Sequence, residues 1–388
     1  MKEQSLALAT ILLVASLALA ACGQQESESG RIDLTRLGTE EARLTAGDLF
    51  ASVEYIPLET RPECLLGSTS IMAVDDSNVL VWQGNDVLRF GRDGRFLNKV
   101  GTTGNGHGEH GATRSARYDT GSGTVLIATF DNRIFRYSLD GEYLGDFKMP
   151  DNGKVPQTFR VAHDGNLVCE MRDYKEEGLD VWLQVFTPEK GELLLSRRIY
   201  TDGETVKRSM MKTATMCSTP DGTWMILPFD DWAWCYTPEG KTDSLLFDRG
   251  SYSPSRELCE NWDNSEELKQ TKYQIDNMVG TEKHFYLEVP TKQGGRDVLV
   301  DRRTNRVVHN HYWRWGFEDK GHIRLDGFSE DVTFWPFIST GRDGNLLAAL
   351  MPIDLFAGED RQTLRKKAQN DYPLDDDSNP ILVIAREK

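Results

Sequence analysis

The chain has 388 residues with 61 acidic against 45 basic side chains, a formal charge of −16. That balance argues against nucleic acid or an anionic surface as a partner. Length alone would allow two or three domains, but the pattern along the chain points to one repeated architecture.

Residues 1–21 read as an address. Lys2 gives a weakly positive end, and Leu6–Ala21 is an apolar run broken only by Thr10 and Ser16. The run is short for a membrane span, which needs about 20 apolar residues. It stops at Leu19-Ala20-Ala21-Cys22-Gly23, which resembles the lipobox of bacterial lipoproteins. Cys22 is therefore the expected lipid anchor and the expected contact with a membrane; the alternative is an ordinary secretory signal cut at Ala20 or Ala21. Gly23 is not the aspartate that retains some lipoproteins at the inner membrane, so the expected address is the outer membrane, on its periplasmic or exposed face. Residues 22–30 form an acidic tether with nothing to bury, similar to a surface-export signal of some Gram-negative lipoproteins.

From residue 31 to 388 the chain reads as one all-β domain. Short apolar runs are separated by tight turns of Asp, Gly and Asn, which supply the positive φ that hairpins need. A first turn series runs Asp75–Asn78, Thr120–Gly123, His163–Asn166, Pro220–Thr223, Thr281–His284 and Arg342–Asn345. A second, offset series runs Arg92–Gly94, Leu139–Gly141, Pro188–Gly191, Pro238–Gly240 and Arg303–Asn305. The strands before the second series alternate, as in Ile134-Phe135-Arg136-Tyr137. Four strands per repeat of about 40 to 50 residues is the signature of propeller blades. The expected fold is a six-bladed β-propeller of four-stranded antiparallel blades.

The sixth repeat lacks its second turn because the chain ends with Ile381–Ala385. An open ring would leave a strand edge exposed. The unclaimed segment Val53–Leu58 is the expected closing strand, and Pro57 suits an outermost position where no N–H is needed. Two polar stretches, Ser253–Asp276 and Glu359–Asn370, read as small helical insertions, with solvated loop extensions as the plainer reading.

Ala51–Thr60, Asp86–Leu97, the stretch from Val100-Gly101 to Gly108-Glu109, and the ending Asn379–Ala385 together resemble six-bladed β-propeller lipoproteins related to NHL-repeat proteins. The likeness spans nearly all of the mature chain; His107 stands where that family usually has proline. It implies an envelope protein that binds something.

Candidate chemistry is sparse. Gly101–Gly111 has the glycines of a phosphate cradle without the Lys-Ser/Thr pair or the βαβ context, so it reads as a crossover between blades, with His107 and His110 as exposed ligand contacts. His309 and His311 share one strand face and would make two-thirds of a metal site. Trp232 and Trp234 share a face, as do Trp313 and Trp315, either as stacking platforms or as packing between blades. Asp375-Asp376-Asp377 lacks the spacing of a calcium loop. Besides Cys22, Cys64, Cys169, Cys217, Cys235 and Cys259 show no metal-ligand spacing; buried free thiols are the expected role of most. With no G-x-S-x-G and no HExxH, no catalytic grouping can be named; nothing identifies a cofactor, and none is expected. The expected role is non-enzymatic binding or scaffolding of a peptide, glycan or envelope protein. The rival is a metal-assisted hydrolase, lactonase or lyase in the axial channel, which requires acidic, His or Asn side chains from several blades to converge there.

Overall fold

A computed structural model describes residues 30–37, 43–150, 153–175, 178–202, 212–228, 230–253, 273–291, 294–314, 323–340 and 346–388. The address segment, Cys22, nearly all of the tether, Cys259, Trp315, the turn Arg342–Asn345 and most of the first helical insertion lie outside these residues.

Six blades stand in a ring, each a four-stranded antiparallel meander. Blade one comprises Ser70–Val74, Asn78–Gln83, Asp86–Gly91 and Phe96–Val100; blade two, Thr113–Asp119, Thr124–Thr129, Arg133–Ser138 and Tyr143–Lys148. Blade three comprises Val155–Val161, Leu167–Tyr174, Leu179–Phe186 and Leu193–Asp202; blade four, Thr215–Thr219, Gly222–Ile226, Trp232–Tyr236 and Thr242–Asp248. Blade five comprises Asn277–Gly280, His284–Thr291, Gly294–Asp301 and Arg306–Arg314; blade six, Ile338–Thr340, Leu346–Met351, Ile381–Glu387 and Phe50–Pro57. The first strand of each blade is innermost. These six strands touch one another in order, and the last returns to the first.

The ring closes as the sequence predicts. Phe50–Pro57 pairs antiparallel with Ile381–Glu387, with Tyr55 opposite Val383, and Pro57 ends the outermost strand. Side chains alternate across each strand, so both faces of a blade are apolar and pack against neighbours. One buried cluster fills each interface: Val74 and Val79 of blade one meet Leu382 and Ile384 of blade six, whereas Leu80 and Val87 meet Ile127 and Phe135 of blade two.

The first described strand, Arg31–Asp33, is an addition that the sequence reading missed. It pairs in parallel with Thr242–Asp248 and makes a fifth strand on blade four. Ile32 and Leu34 are fully buried there, covering an edge that would otherwise be open. Three residues carry too little periodicity to be seen in isolation.

Both turn series fall at the same end of the blades. In a meander the connections between strands one and two and between strands three and four lie on one side, and all others lie on the opposite side. The five turns of the second series each hold a residue at positive φ: Gly94 (82°), Gly141 (89°), Gly191 (67°), Gly240 (73°) and Asn305 (54°). The opposite side, here the loop face, carries the crossovers 58–69, 101–112, 149–154, 203–214, 249–276 and 315–337 and the long connection 352–380. That connection contains helix α1, Glu359–Lys367. The helix is more than a solvated extension, because Leu364 is fully buried beside Tyr55 and Phe356.

Candidate functional site in the axial channel

The innermost strands enclose an open channel. Its tight-turn half has a volume of about 450 Å³, and its loop-face half about 620 Å³. The two halves share Arg117, Arg160, Met216 and Phe337.

A register rule places the throat side chains. The residue three positions before each turn of the first series is Met72, Arg117, Arg160, Cys217, Met278 or Ser339, and all six line the channel. The channel is therefore polar, but its charged groups at this level are cations, not the acids that a metal-assisted enzyme would use. Among the described residues no group of three or more His, Cys, Asp or Glu side chains is placed to hold a metal ion.

Each arginine reaches toward the next blade. Arg117 Nε donates to Phe159 O at 2.9 Å, Nη1 to Ala116 O at 2.7 Å, and Nη2 to Thr158 Oγ1 at 3.4 Å. Arg160 Nε donates to Met216 O at 3.1 Å. These bonds satisfy carbonyls on the unpaired edge of an innermost strand. The terminal nitrogens of Arg160 have no hydrogen-bond partner, and neither arginine has a carboxylate partner, among the described residues. Both arginines line the channel and are partly exposed. Desolvation lowers the affinity of both for their protons, most at Arg117, where the positive charge of Arg160 adds to it. Arginine stays charged regardless. Burial also pushes the neighbouring Cys217 thiol up to about 12, with Arg302 and Arg160 pulling the other way.

Two fully buried arginines organise the loop-face mouth. Arg172 Nε donates to Glu170 Oε1 at 2.6 Å and Nη2 to Lys212 O at 2.7 Å, while Glu170 Oε2 accepts from Ala214 N at 2.7 Å. Arg249 Nε donates to Asp231 Oδ1 at 2.6 Å, and its Nη1 donates to Pro228 O at 3.1 Å and Tyr273 O at 2.8 Å. These charges fix the crossovers 203–214 and 249–276 at their inner ends. Lys212 Nζ then bridges the two crossovers through both oxygens of Asp276, at 2.9 and 2.7 Å.

The residues singled out from the sequence are dispersed. His107 is exposed on the crossover from blade one to blade two, its ring edge against Tyr143. His110 corrects the expectation of exposure: it is 1% exposed, packed on Phe135 and Tyr137, because the crossover folds back through a bridge between Thr103 and His110. A Cβ on Gly104 would meet the Glu109 carboxylate, which accepts from Gly106 N at 2.7 Å. Trp234 is partly buried between blades three and four under the Arg197 guanidinium, 4.4 Å from its ring centroid. Trp232 is 43% exposed at the loop-face end of its strand. His309 and His311 are buried on the outermost strand of blade five, away from the axis, with Asp297 opposite His311. Trp313 Nε1 donates to that same Asp297 at 3.1 Å. Asp375 bonds Ser378 and Asp376 pairs with Arg361, so this acidic run organises a loop. Cys64, Cys169, Cys217 and Cys235 are buried free thiols.

Sequence reasoning missed Arg117 and Arg160. The signal was the fixed offset from the first turn series, which becomes legible once the turns are aligned.

A family model described as "Domain of unknown function (DUF4934)" matches residues 29–386. No curated protein matches the chain. Among solved structures, a Bacteroides fragilis protein described as exported superposes with a TM-score of 0.64 at 15% identity, over 92% of this chain and 99% of that one. A member of the duf4221 family from Bacteroides vulgatus gives 0.49 at 10% identity, over 88% and 97%. Virginiamycin B lyase from Staphylococcus aureus gives 0.37 at 11% identity, over 66% and 73%. The first likeness bears on fold alone, and the other two carry no argument.

Proposed function

The chain belongs to the DUF4934 family, a domain of unknown function, and from its geometry we propose that it is a lipid-anchored binding or scaffold protein of the cell envelope. In this reading Cys22 carries the lipid, the outer membrane holds the protein, and the NHL-related lipoproteins are its wider group. The loop face engages a peptide, a glycan or another envelope protein, with exposed His107 and Trp232 among its contacts. The observation that carries the reading is segregation: the long connections between the described strands and the larger channel half share one face. Loops held by a rigid scaffold are where binding surfaces are built.

The direction of the first strand gives an orientation. Arg31–Asp33 runs parallel to Thr242–Asp248, from the tight-turn side toward the loop face. The eight residues from Cys22 to Ser29 span at most about 28 Å. A lipid at Cys22 then holds the tight-turn face toward the membrane and presents the loop face outward.

Photo-crosslinking in cells tests this, with the reactive group placed at His107 or Trp232 on the loop face and at the exposed Asp76 on the tight-turn face. Partner adducts from the loop-face positions alone are expected, and Cys22→Ala releases the protein from the membrane fraction. Equal adducts from both faces, or unchanged membrane retention in Cys22→Ala, would overturn the reading.

A further inference from the structure

We propose that the channel throat is a binding site for a small organic carboxylate, whose carboxylate lies against Arg160 and Arg117 and whose apolar part lies along Met72 and Met278. The site is independent of any partner on the loop face.

A protein of net charge −16 places two arginines from adjacent blades in one throat, with no carboxylate partner for either among the described residues. Both side chains are only partly exposed, and a cation with reduced solvation favours an anion beside it. A purely structural role explains Arg117, whose three nitrogens all have partners. It does not explain Arg160. Capping one carbonyl needs one donor, and Arg160 uses only Nε for that, leaving both terminal nitrogens unpartnered in the channel.

Shape and chemistry narrow the ligand. A guanidinium edge matches the two oxygens of a carboxylate. The remaining side chains of the ring are two methionines, the Cys217 thiol, which burial keeps protonated, and Ser339. Thioethers favour an apolar body, and a strongly hydrated inorganic dianion would lose water against them without replacement. Each channel half falls in the range of about 300–1,000 Å³ typical of small-molecule sites.

The test is calorimetric titration of the full chain, in detergent and low-chloride buffer, with hexanoate, its neutral analogue hexanol, and inorganic phosphate. Hexanoate should bind saturably at one site per chain while hexanol does not. Arg160→Gln should weaken hexanoate at least tenfold, with Arg160→Lys retaining part of the affinity. Ser339→Asp supplies an internal carboxylate to the same ring; it should abolish hexanoate binding and raise the unfolding temperature, giving a readout even if Arg160→Gln fails to fold. Equal binding of hexanoate and hexanol, binding of phosphate alone, no binding of any probe, or hexanoate affinity unchanged in Ser339→Asp would each overturn the proposal. Loss of loop-face crosslinks would leave this result untouched.

Discussion

The two faces of the ring are built by different means. On the tight-turn face, polar links join neighbouring blades: Tyr118 Oη donates to Asp75 at 3.2 Å, Arg89 pairs with Asp140 at 2.7 Å, and Tyr236 Oη donates to Asp164 at 2.9 Å. Arg302 pairs with Asp221, His284 with Glu387, and Arg92 with Glu54. On the loop face, buried charges hold the ends of long crossovers, as Arg172 with Glu170 and Arg249 with Asp231 do. The two faces divide the labour of holding the ring. Short turns leave side chains near the rim, where they bridge blades through partly solvated contacts, and long connections need an internal charge to pin them.

The comparison breaks most visibly at Arg172. Arg172→Met leaves the Glu170 carboxylate buried without its cation and should cost about 3–5 kcal/mol in urea unfolding. Hydrogen exchange should rise around residues 212–214 while the tight-turn face stays protected. Gly94→Ala strikes where a tight turn of blade one meets the end of the closing strand. Gly94 holds a positive φ, and a Cβ there would lie 2.1 Å from Pro57 O of the closing strand. The backbone strain alone is worth about 1–3 kcal/mol, so the same melts should show a loss and exchange should rise at Phe50–Pro57.

Smaller changes sharpen the contrast. Tyr118→Phe removes one link between blades one and two and should cost about 1 kcal/mol, read as a shifted urea midpoint with an unchanged slope. The mildest effect is one of pH at the seam of blades five and six. Burial acts to raise the pKa of Glu387, but hydrogen bonds from His284, Thr281 and Tyr286 outweigh it and hold the carboxyl below its ordinary value. Its stabilising contribution is therefore complete above the unfolded carboxyl value and is lost as pH falls through the lower folded value. Melting temperatures from pH 6 down to pH 3 should fall less steeply in Glu387→Gln than in the parent protein.

Much of the fold was legible because hairpin chemistry is local. Asp-Gly turns reveal themselves where positive φ is needed, and the closing strand followed from the need to cover an edge. The throat was harder to read. Arg117 and Arg160 sit in strands that look ordinary, and their meaning lies in a shared offset from turns 43 residues apart. The eye-catching residues went elsewhere: His110 into a packed crossover, Trp234 under Arg197, and His309 and His311 onto an outer strand.

By itself the sequence determined the strand rhythm, the six blades and the strand that seals them, because turn geometry and side-chain alternation act over a few residues. Tertiary structure alone decided which side chains share the axis, that Arg31–Asp33 joins blade four, and that the acidic protein encloses a cationic throat. Those outcomes depend on ring closure, which brings together residues from six blades whose separation along the chain carries no information about distance in space.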